Sequence, residues 1–417
     1  MRTFCFAASK VPSAYICAMR FADIIGQADV KQHLAEMVRH NRLSHALLFL
    51  GKEGSGALPL ALAFAQYIVC EKVNGKTAVA AGPSLFGDPE PVQETEKPAD
   101  SCGQCAACLK AAQLVHPDLH FSYPTVTKKA GEKPIATDFV TEWRDFVKLN
   151  PYGNLFDWIE LIKEKENSQG KITAEECNEI IRKLSLKSFE SEYKILVMWM
   201  PEMLGTEGNK LLKLIEEPPA NTLFILVAEN DALVLQTILS RCQLVKIPVL
   251  TDREVEEALI SRNKTEPAVA RQVAGVSEGN YREALQQVQH ADEDWQVLLR
   301  EWLNAVLKTG PVAQAKWVEE ISRQGREKQK QFLRYFNHLL EVALRQRVMP
   351  AENSDATSDF AARLNKICGI EQQKAIMEEI DRASYYIERN ANAKMLFHAL
   401  TIRLYHIIQD KIVFLMD

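Results

Sequence analysis

This 417-residue chain has no surplus of positive charge: 50 Lys and Arg stand against 55 Asp and Glu, a formal net charge of −5. It is therefore not built to coat nucleic acid wholesale, and any DNA contact has to be local or lent by partners. No apolar run approaches the length needed to span a bilayer. Cysteine is sparse, with nine residues forming one tight group and otherwise standing singly. That usage fits a reducing cytoplasm and a metal site better than a disulfide framework. No carboxylate pair of the kind a polymerase needs for its metals stands out. With 47% hydrophobic and 25% charged residues, the composition reads as soluble and globular, long enough for two or three domains.

Residues 1–18 read as a disordered or mis-assigned extension. Lys10 and Pro12 interrupt the apolar core a signal peptide needs, and "MRFADIIGQ" from Met19 looks like a natural start. Residues 19–248 alternate helix and strand patterns. "YKILVMWM" (193–200) and "TLFILVAEN" (222–230) are near-continuous apolar strands, which implies a parallel sheet covered on both faces. "HPDLHFSYP" is a short strand ending at Pro124. "TAEECNEIIRKLSL" (173–186) is an amphipathic helix with Ile180, Ile181, Leu184 and Leu186 on its apolar side, and 206–219 is a helix stopped by Pro218 and Pro219. Two stretches interrupt the domain. Residues 71–100 are rich in Pro, Gly, Glu and Lys and read as a mobile insertion, and 125–170 as a charged, partly helical elaboration. A small helical unit spans 249–292. Residues 293–417 are helical throughout, with stripes at Phe332, Phe336, Leu339, Ala343 and at Leu396, Leu400, Leu404, Ile407 that read as core or subunit interface.

The stretch "GKEGSGALP" (51–59) has the layout strand, glycine-rich turn, helix. A working phosphate loop needs glycines to turn backbone N–H groups inward, a lysine on the outer phosphates and a hydroxyl on magnesium. Gly51, Gly54 and Gly56 keep the backbone part, whereas Ala57 and Leu58 remove both side chains. A later strand should end in a magnesium-binding Asp and a catalytic Glu. Here it ends in Trp199 and Met200, and Glu202 lies too far on to substitute. Losing the lysine and the metal ligation costs roughly 3–6 kcal/mol, or about 10²–10⁴ in affinity. Such a chain is not expected to bind ATP productively or to hydrolyse it; the alternative is a chance glycine turn.

"NKLLKLIEEPPANTLFIL" followed by "TILSRCQ" resembles the AAA+ clamp-loader family, and within it the delta-prime type of bacterial DNA polymerase III subunit. "FADIIGQ", "RLSHALLF", "SCGQCAAC", "HPDLH", "LSLKSFESEYKILVM", "GNYREAL" and "NANAKMLFHAL" extend the resemblance from Met19 nearly to the end. It implies an α/β AAA+ domain with a RecA-like parallel sheet, a small helical lid domain and an all-α C-terminal collar domain. It also implies a place beside tau/gamma and delta subunits in a hetero-pentamer that loads the sliding clamp onto primed DNA. The delta-prime type is the non-hydrolysing stator of that ring; an ATP-hydrolysing motor of the tau/gamma type, the alternative, would keep its lysine and acids. Arg241 in "SRC", at a strand-to-loop exit, then becomes an arginine finger acting in trans on a neighbour's ATP, with Ser240 and Cys242 holding the turn. Arg282 matches a lid arginine that would touch nucleotide, although a structural role is open to it. Asn230 sits near a sensor position.

Cys102, Cys105 and Cys108, with two residues between neighbours, have the spacing of a compact zinc loop, and a tetrahedral site needs a fourth ligand. Cys70 is the candidate that the resemblance supplies, 32 positions away, and His116 is the reserve. Unmetallated thiols and an Fe–S site are the other readings of this spacing, and a zinc-dependent DNA-binding module is a third function class.

Overall fold

In a computed structural model, residues 19–74, 98–127, 131, 133–163, 170–289, 295–348, 356–389 and 391–410 are described. The expectations for 1–18 and for most of 71–100 lie outside them.

Five parallel strands form one sheet: β1 (Ala46–Gly51), β2 (Leu119–Ser122), β3 (Lys194–Trp199), β4 (Thr222–Ala228) and β5 (Gln243–Ile247), in the order β2-β3-β4-β1-β5. Every residue of β3 and β4 is buried, as central strands covered on both faces require. β5 lies at the edge and buries only Val245 and Ile247. β1 sits between β4 and β5, so the chain order reverses beside its C-terminal end, where α/β sheets form their ligand crevice. The glycine turn leaves from that end.

Helix α1 (Ala28–Arg39) precedes β1, and α2 (Ala57–Val69) follows it. All 13 residues of α2 are buried, which its unbroken apolar sequence allows on every side. Helix α3 (Ala106–Ala112) leads into β2. Residues 125–170 fold in part as α4 (Val140–Leu149) and α5 (Leu155–Ile162), as expected. Helix α6 (Ala174–Ser185) is capped by Thr173, whose hydroxyl accepts from the Glu176 N–H at 3.1 Å. Its Ile180 and Leu184 are buried, but Leu186 ends the helix and is exposed, which corrects the expected face. The helix expected over 206–219 is a 3-10 segment, Pro201–Leu211, bent at Gly205 (φ 52°), followed by α7 (Leu212–Glu216). The stop is where expected, because the residue before Pro218 is driven out of the helical region. Helix α8 (Gln236–Leu239) leads to β5, and α9 (Asp252–Asn263), α10 (Pro267–Val276) and α11 (Tyr281–Gln289) make the small helical part.

The chain divides into two compact units between Val288 and Gln289. Among the described residues the elements of the second are all helices: α12 (Trp295–Asn304), α13 (Pro311–Ser322), α14 (Arg326–Val348), α15 (Ala356–Ile367), α16 (Ile370–Glu388) and α17 (Ala393–Gln409), with a short π-helical turn at Ala305–Thr309. Phe332, Phe336, Leu339 and Ala343 of α14, with Leu400, Leu404 and Ile407 of α17, are buried in its core, and Leu396 packs against them. Trp302 and Trp317 stack with ring centres 4.6 Å apart, and the Trp302 indole N–H donates to Thr401 Oγ1 at 3.0 Å. The stripes are core.

Asp118, at the start of β2, ties two strands together. Its carbonyl accepts the Ile195 N–H of β3, and its carboxylate accepts the N–H groups of Phe189, Glu190 and Ser191 at 2.5, 2.7 and 2.7 Å. Burial works against the charge, but the donors prevail and hold the carboxyl below its ordinary range. A lowered folded pKa stabilises above about pH 4, and that contribution is lost as the pH falls through the folded value. Asp118→Ala should cost roughly 2–3 kcal/mol at pH 7 in urea unfolding, and the gap from the parent should narrow below about pH 4.

Candidate functional site

Gly54 (φ 72°) and Gly56 (φ 90°) occupy the left-handed region that glycine alone adopts without strain. A methyl group at Gly54 would lie 1.9 Å from Asn280 Oδ1, and one at Gly56 would lie 2.9 Å from a Tyr152 ring carbon. Here the close approach that glycine permits is to the chain's own side chains. Ala57 and Leu58 are buried in the first turn of α2, and the Cβ of Gly51 would press on Ile247.

Across the sheet, Trp199 closes β3 and is buried among aromatics. Its ring centre lies 5.5 Å from both Trp143 and Phe146 of α4. Trp143 stacks on Tyr123 at 4.1 Å and meets Trp158 of α5 edge-on at 5.4 Å. The Trp158 indole donates to the Pro124 carbonyl at 2.6 Å and the Tyr123 hydroxyl donates to the Ala136 carbonyl at 2.7 Å, whereas the buried Trp143 indole N–H meets no acceptor among the described residues. Where an ATPase strand would present acids, this strand offers an apolar ring that anchors the 125–170 elaboration. Met200 (φ 58°) still donates to the Val227 carbonyl at 2.9 Å. Glu202 accepts the N–H groups of Glu229 and Asn230 at 2.7 and 2.9 Å, and burial pushes its carboxyl up. It holds the exit of β4. The Asn230 side chain caps the following turn through the Ala232 N–H at 3.0 Å.

The loop between α4 and α5 reaches the glycine turn. Tyr152 accepts the Ile25 N–H at 2.9 Å and lies edge-on to Tyr281 at 5.0 Å. Arg282, on α11, is 3% exposed. Its Nε and Nη2 donate to Asp157 Oδ2 and Oδ1 at 2.5 and 2.6 Å, and its Nη1 donates to Glu53 Oε1 at 3.0 Å. The cavity left between Gly54, Gly56, Tyr152 and Trp199 is about 20 Å³, room for roughly one water and far below what a nucleotide needs. Tyr152 and Asp157 were missed by the sequence reading. The signal was there: Trp143, Phe146, Tyr152 and Trp158 crowd a segment that its charges made look solvated.

Arg241 stands in the turn between α8 and β5, which corrects the expected strand-to-loop exit. Both Nε and Nη2 donate to Glu216 Oε1 of α7, the former at 2.6 Å, and Nη1 donates to the Thr237 carbonyl at 2.6 Å and to Ser240 Oγ at 3.2 Å. The side chain is 31% exposed, and an ion pair at such a surface is worth about 0–1 kcal/mol, weak enough to exchange for another anion. Ser240 Oγ donates to the Thr237 carbonyl at 3.2 Å. Cys242 is half-buried against apolar neighbours, and burial pushes its thiol up to about 11.

Cys70 caps the C-terminus of α2, Cys102 and Cys105 lie in the loop before α3, and Cys108 is in the first turn of α3. Their four sulfurs lie within 4.8 Å of one another, and those of Cys102 and Cys108 are 3.9 Å apart. A tetrahedral zinc thiolate centre, with Zn–S near ~2.3 Å, needs sulfurs about 3.8 Å apart. Backbone N–H groups of Cys102, Cys105 and Cys108 donate to the sulfurs of Cys70, Cys102 and Cys105 at 3.4, 3.3 and 3.4 Å. A hydrogen bond from Cys108, with the Cys102 N–H, draws the Cys70 thiol below its ordinary range. These four residues could hold a metal ion, and the set is compatible with structural zinc. His116 is outside the group: it is buried, its Nδ1 accepts the Asp118 N–H at 3.2 Å, and burial lowers its pKa.

The family model described as DNA polymerase III, delta subunit, matches residues 26–83 and 90–251. The DNA polymerase III subunit delta' of Bacillus subtilis (strain 168) is 26% identical over 262 residues, covering 62% of this chain and 58% of that protein. The DNA polymerase III subunit tau/gamma of Haemophilus influenzae is 25% identical over 240 residues, covering 57% of this chain and 25% of the relative. The chain thus spans less than two thirds of the length of these relatives. A solved DNA polymerase III gamma subunit-related protein of Thermotoga maritima aligns over 89% of this chain and 98% of its own, at 13% identity and a TM-score of 0.34. With more than half of its residues inside one family's model, the chain belongs to the DNA polymerase III delta-subunit family, among the clamp-loader proteins.

Proposed function

We propose that the chain is the non-hydrolysing, delta-prime type of clamp-loader subunit, a stator that helps load the sliding clamp onto primed DNA. The observation that carries this reading is the narrow cleft at Gly54 and Gly56, where about 20 Å³ remains beside Tyr152. Ala57, Leu58, Trp199 and Met200 supply none of the charge stabilisation that phosphoryl transfer depends on. The same absences weigh against the motor alternative. The partners are tau/gamma-type and delta-type subunits in a hetero-pentamer, in the cytoplasm, with clamp and DNA met through the complex. The domains are then 19–248 for the AAA+ part, 249–292 for the lid and 293–417 for the collar.

Arg241 is the residue with a chemical role, and that role is on a neighbour. Released from Glu216, its guanidinium would reach a bound ATP across the subunit boundary and stabilise charge developing on the transferred phosphoryl group. In a reconstituted loader, Arg241→Ala should lower ATP turnover at that interface by up to about 10³ while the complex still assembles on a sizing column. Turnover equal to the parent's would remove the finger assignment.

The cysteine group is assigned to structural zinc, closing the long excursion between α2 and α3. Elemental analysis of the purified chain should find near-stoichiometric zinc. Cys70→Ser should lose most of it, whereas His116→Ala should keep it; the reverse pattern would reassign the fourth ligand.

A further inference from the structure

A glycine turn with two left-handed residues leading into the N-terminus of a 13-residue helix is a site that ordinarily takes an anion from outside. Three observations show the surroundings served from inside. First, the segment 150–158 reaches the turn: Tyr152 lies against Gly56 and is pinned by its hydroxyl to the Ile25 N–H. Second, the buried Arg282 guanidinium is met by carboxylates of the chain itself, bidentately by Asp157 and singly by Glu53 from within the turn. Third, α11 is docked on the turn at neighbouring residues. The Tyr281 N–H donates to the Gly54 carbonyl at 3.3 Å, and Asn280 Nδ2 donates to Glu53 at 3.4 Å.

We propose that segment 150–158 is a ligand in cis for the degenerate nucleotide site, and that its Asp157 grips Arg282 to latch helix α11 onto the glycine turn without nucleotide. The segment is shaped for the task before it meets the arginine. Asn154 and Asp157 cap α5 reciprocally, with the Asp157 N–H donating to Asn154 Oδ1 at 3.0 Å and the Asn154 N–H donating to Asp157 Oδ2 at 3.3 Å. Asn150 Nδ2 adds a second donor from the segment to the same carboxylate at 3.0 Å. Trp143, Phe146 and Trp158 fasten the segment to Trp199 at the end of β3. Trp199, which stands at the end of β3 where phosphate chemistry would need an acid, is therefore also the anchor of the segment that fills the site. Glu53 adds a negative charge where a phosphate would sit, which further disfavours an outside anion.

The latch belongs to the isolated chain and is tested on it by hydrogen exchange with mass-spectrometric readout. Asp157→Ala should speed exchange in 52–58, 150–158 and 281–288 by at least tenfold and up to about 10²-fold, since one partner of a buried ion pair is removed. Strands β1 and β4 should keep the parent's protection, because the opening is local. Asp157→Asn, which preserves the side chain's shape and its cap acceptor, is measured in parallel and judged by the same criterion, so a folding failure of the alanine variant does not end the test. Millimolar MgATP should leave the parent's exchange unchanged. Unaltered exchange in a folded variant, a uniform acceleration that includes the sheet, or protection of the parent by MgATP would each overturn the latch. ATP hydrolysis by the chain alone would instead sink the stator role, so the two readings fail separately.

Discussion

A guanidinium buried to 3% exposure stays charged and is costly unless anions meet it, and in the first unit two carboxylates meet that demand for Arg282. The two carboxylates that meet it come from far apart in the chain, Glu53 from the glycine turn and Asp157 from the 125–170 elaboration. One side chain on α11 thereby joins three parts that the sequence separates by more than a hundred positions. Asp157 carries the larger share, since it meets the guanidinium through two oxygens and Glu53 through one.

The glycine turn is built over by the chain itself, with Tyr152 against Gly56 and Asn280 against Gly54. The glycines remain because Asn280 and Tyr152 come too close for any side chain at Gly54 and Gly56. The aromatic group around Trp199 occupies the end of the sheet where charge and water would be needed for phosphate chemistry, and the Trp158 indole and the Tyr123 phenol there donate to backbone carbonyls. The cysteine cluster gathers residues on either side of an excursion into one point, so that α2 and α3 share a common end.

Much of the fold was legible because it rests on local periodicity. The apolar runs at 194–199 and 222–228 are central parallel strands, the stripe on α14 is core, and the helix before Pro218 stops where the proline's ring forbids continuation. The misreadings have local physical causes too. Leu186 matched the helical period but fell on the cap, where the chain leaves the helix and the side chain turns outward. Gly205 bends the segment before α7 into a 3-10 form that hydrophobic spacing does not distinguish from an α-helix. Arg241 was given the wrong neighbourhood because the four-residue α8 is too short to leave a periodic signature.

The sequence by itself determined that the glycine turn has Ala57 and Leu58 where a phosphate loop needs a lysine and a hydroxyl, that three cysteines stand at the spacing of soft metal ligands, and that the chain carries an α/β layer followed by helices. Those are statements of residue type and spacing, and they need no coordinates. Only the tertiary structure decided which of Cys70 and His116 joins the other three cysteines, because that depends on where α2 ends relative to α3. It alone showed that Tyr152 and Asp157 enter the glycine turn, since the pairing of Arg282 with residues 125 and 229 positions away is a contact between segments that carry no mark of each other. Long-range pairing of this kind is set by packing against Trp199, and packing is a property of the folded ensemble of side chains.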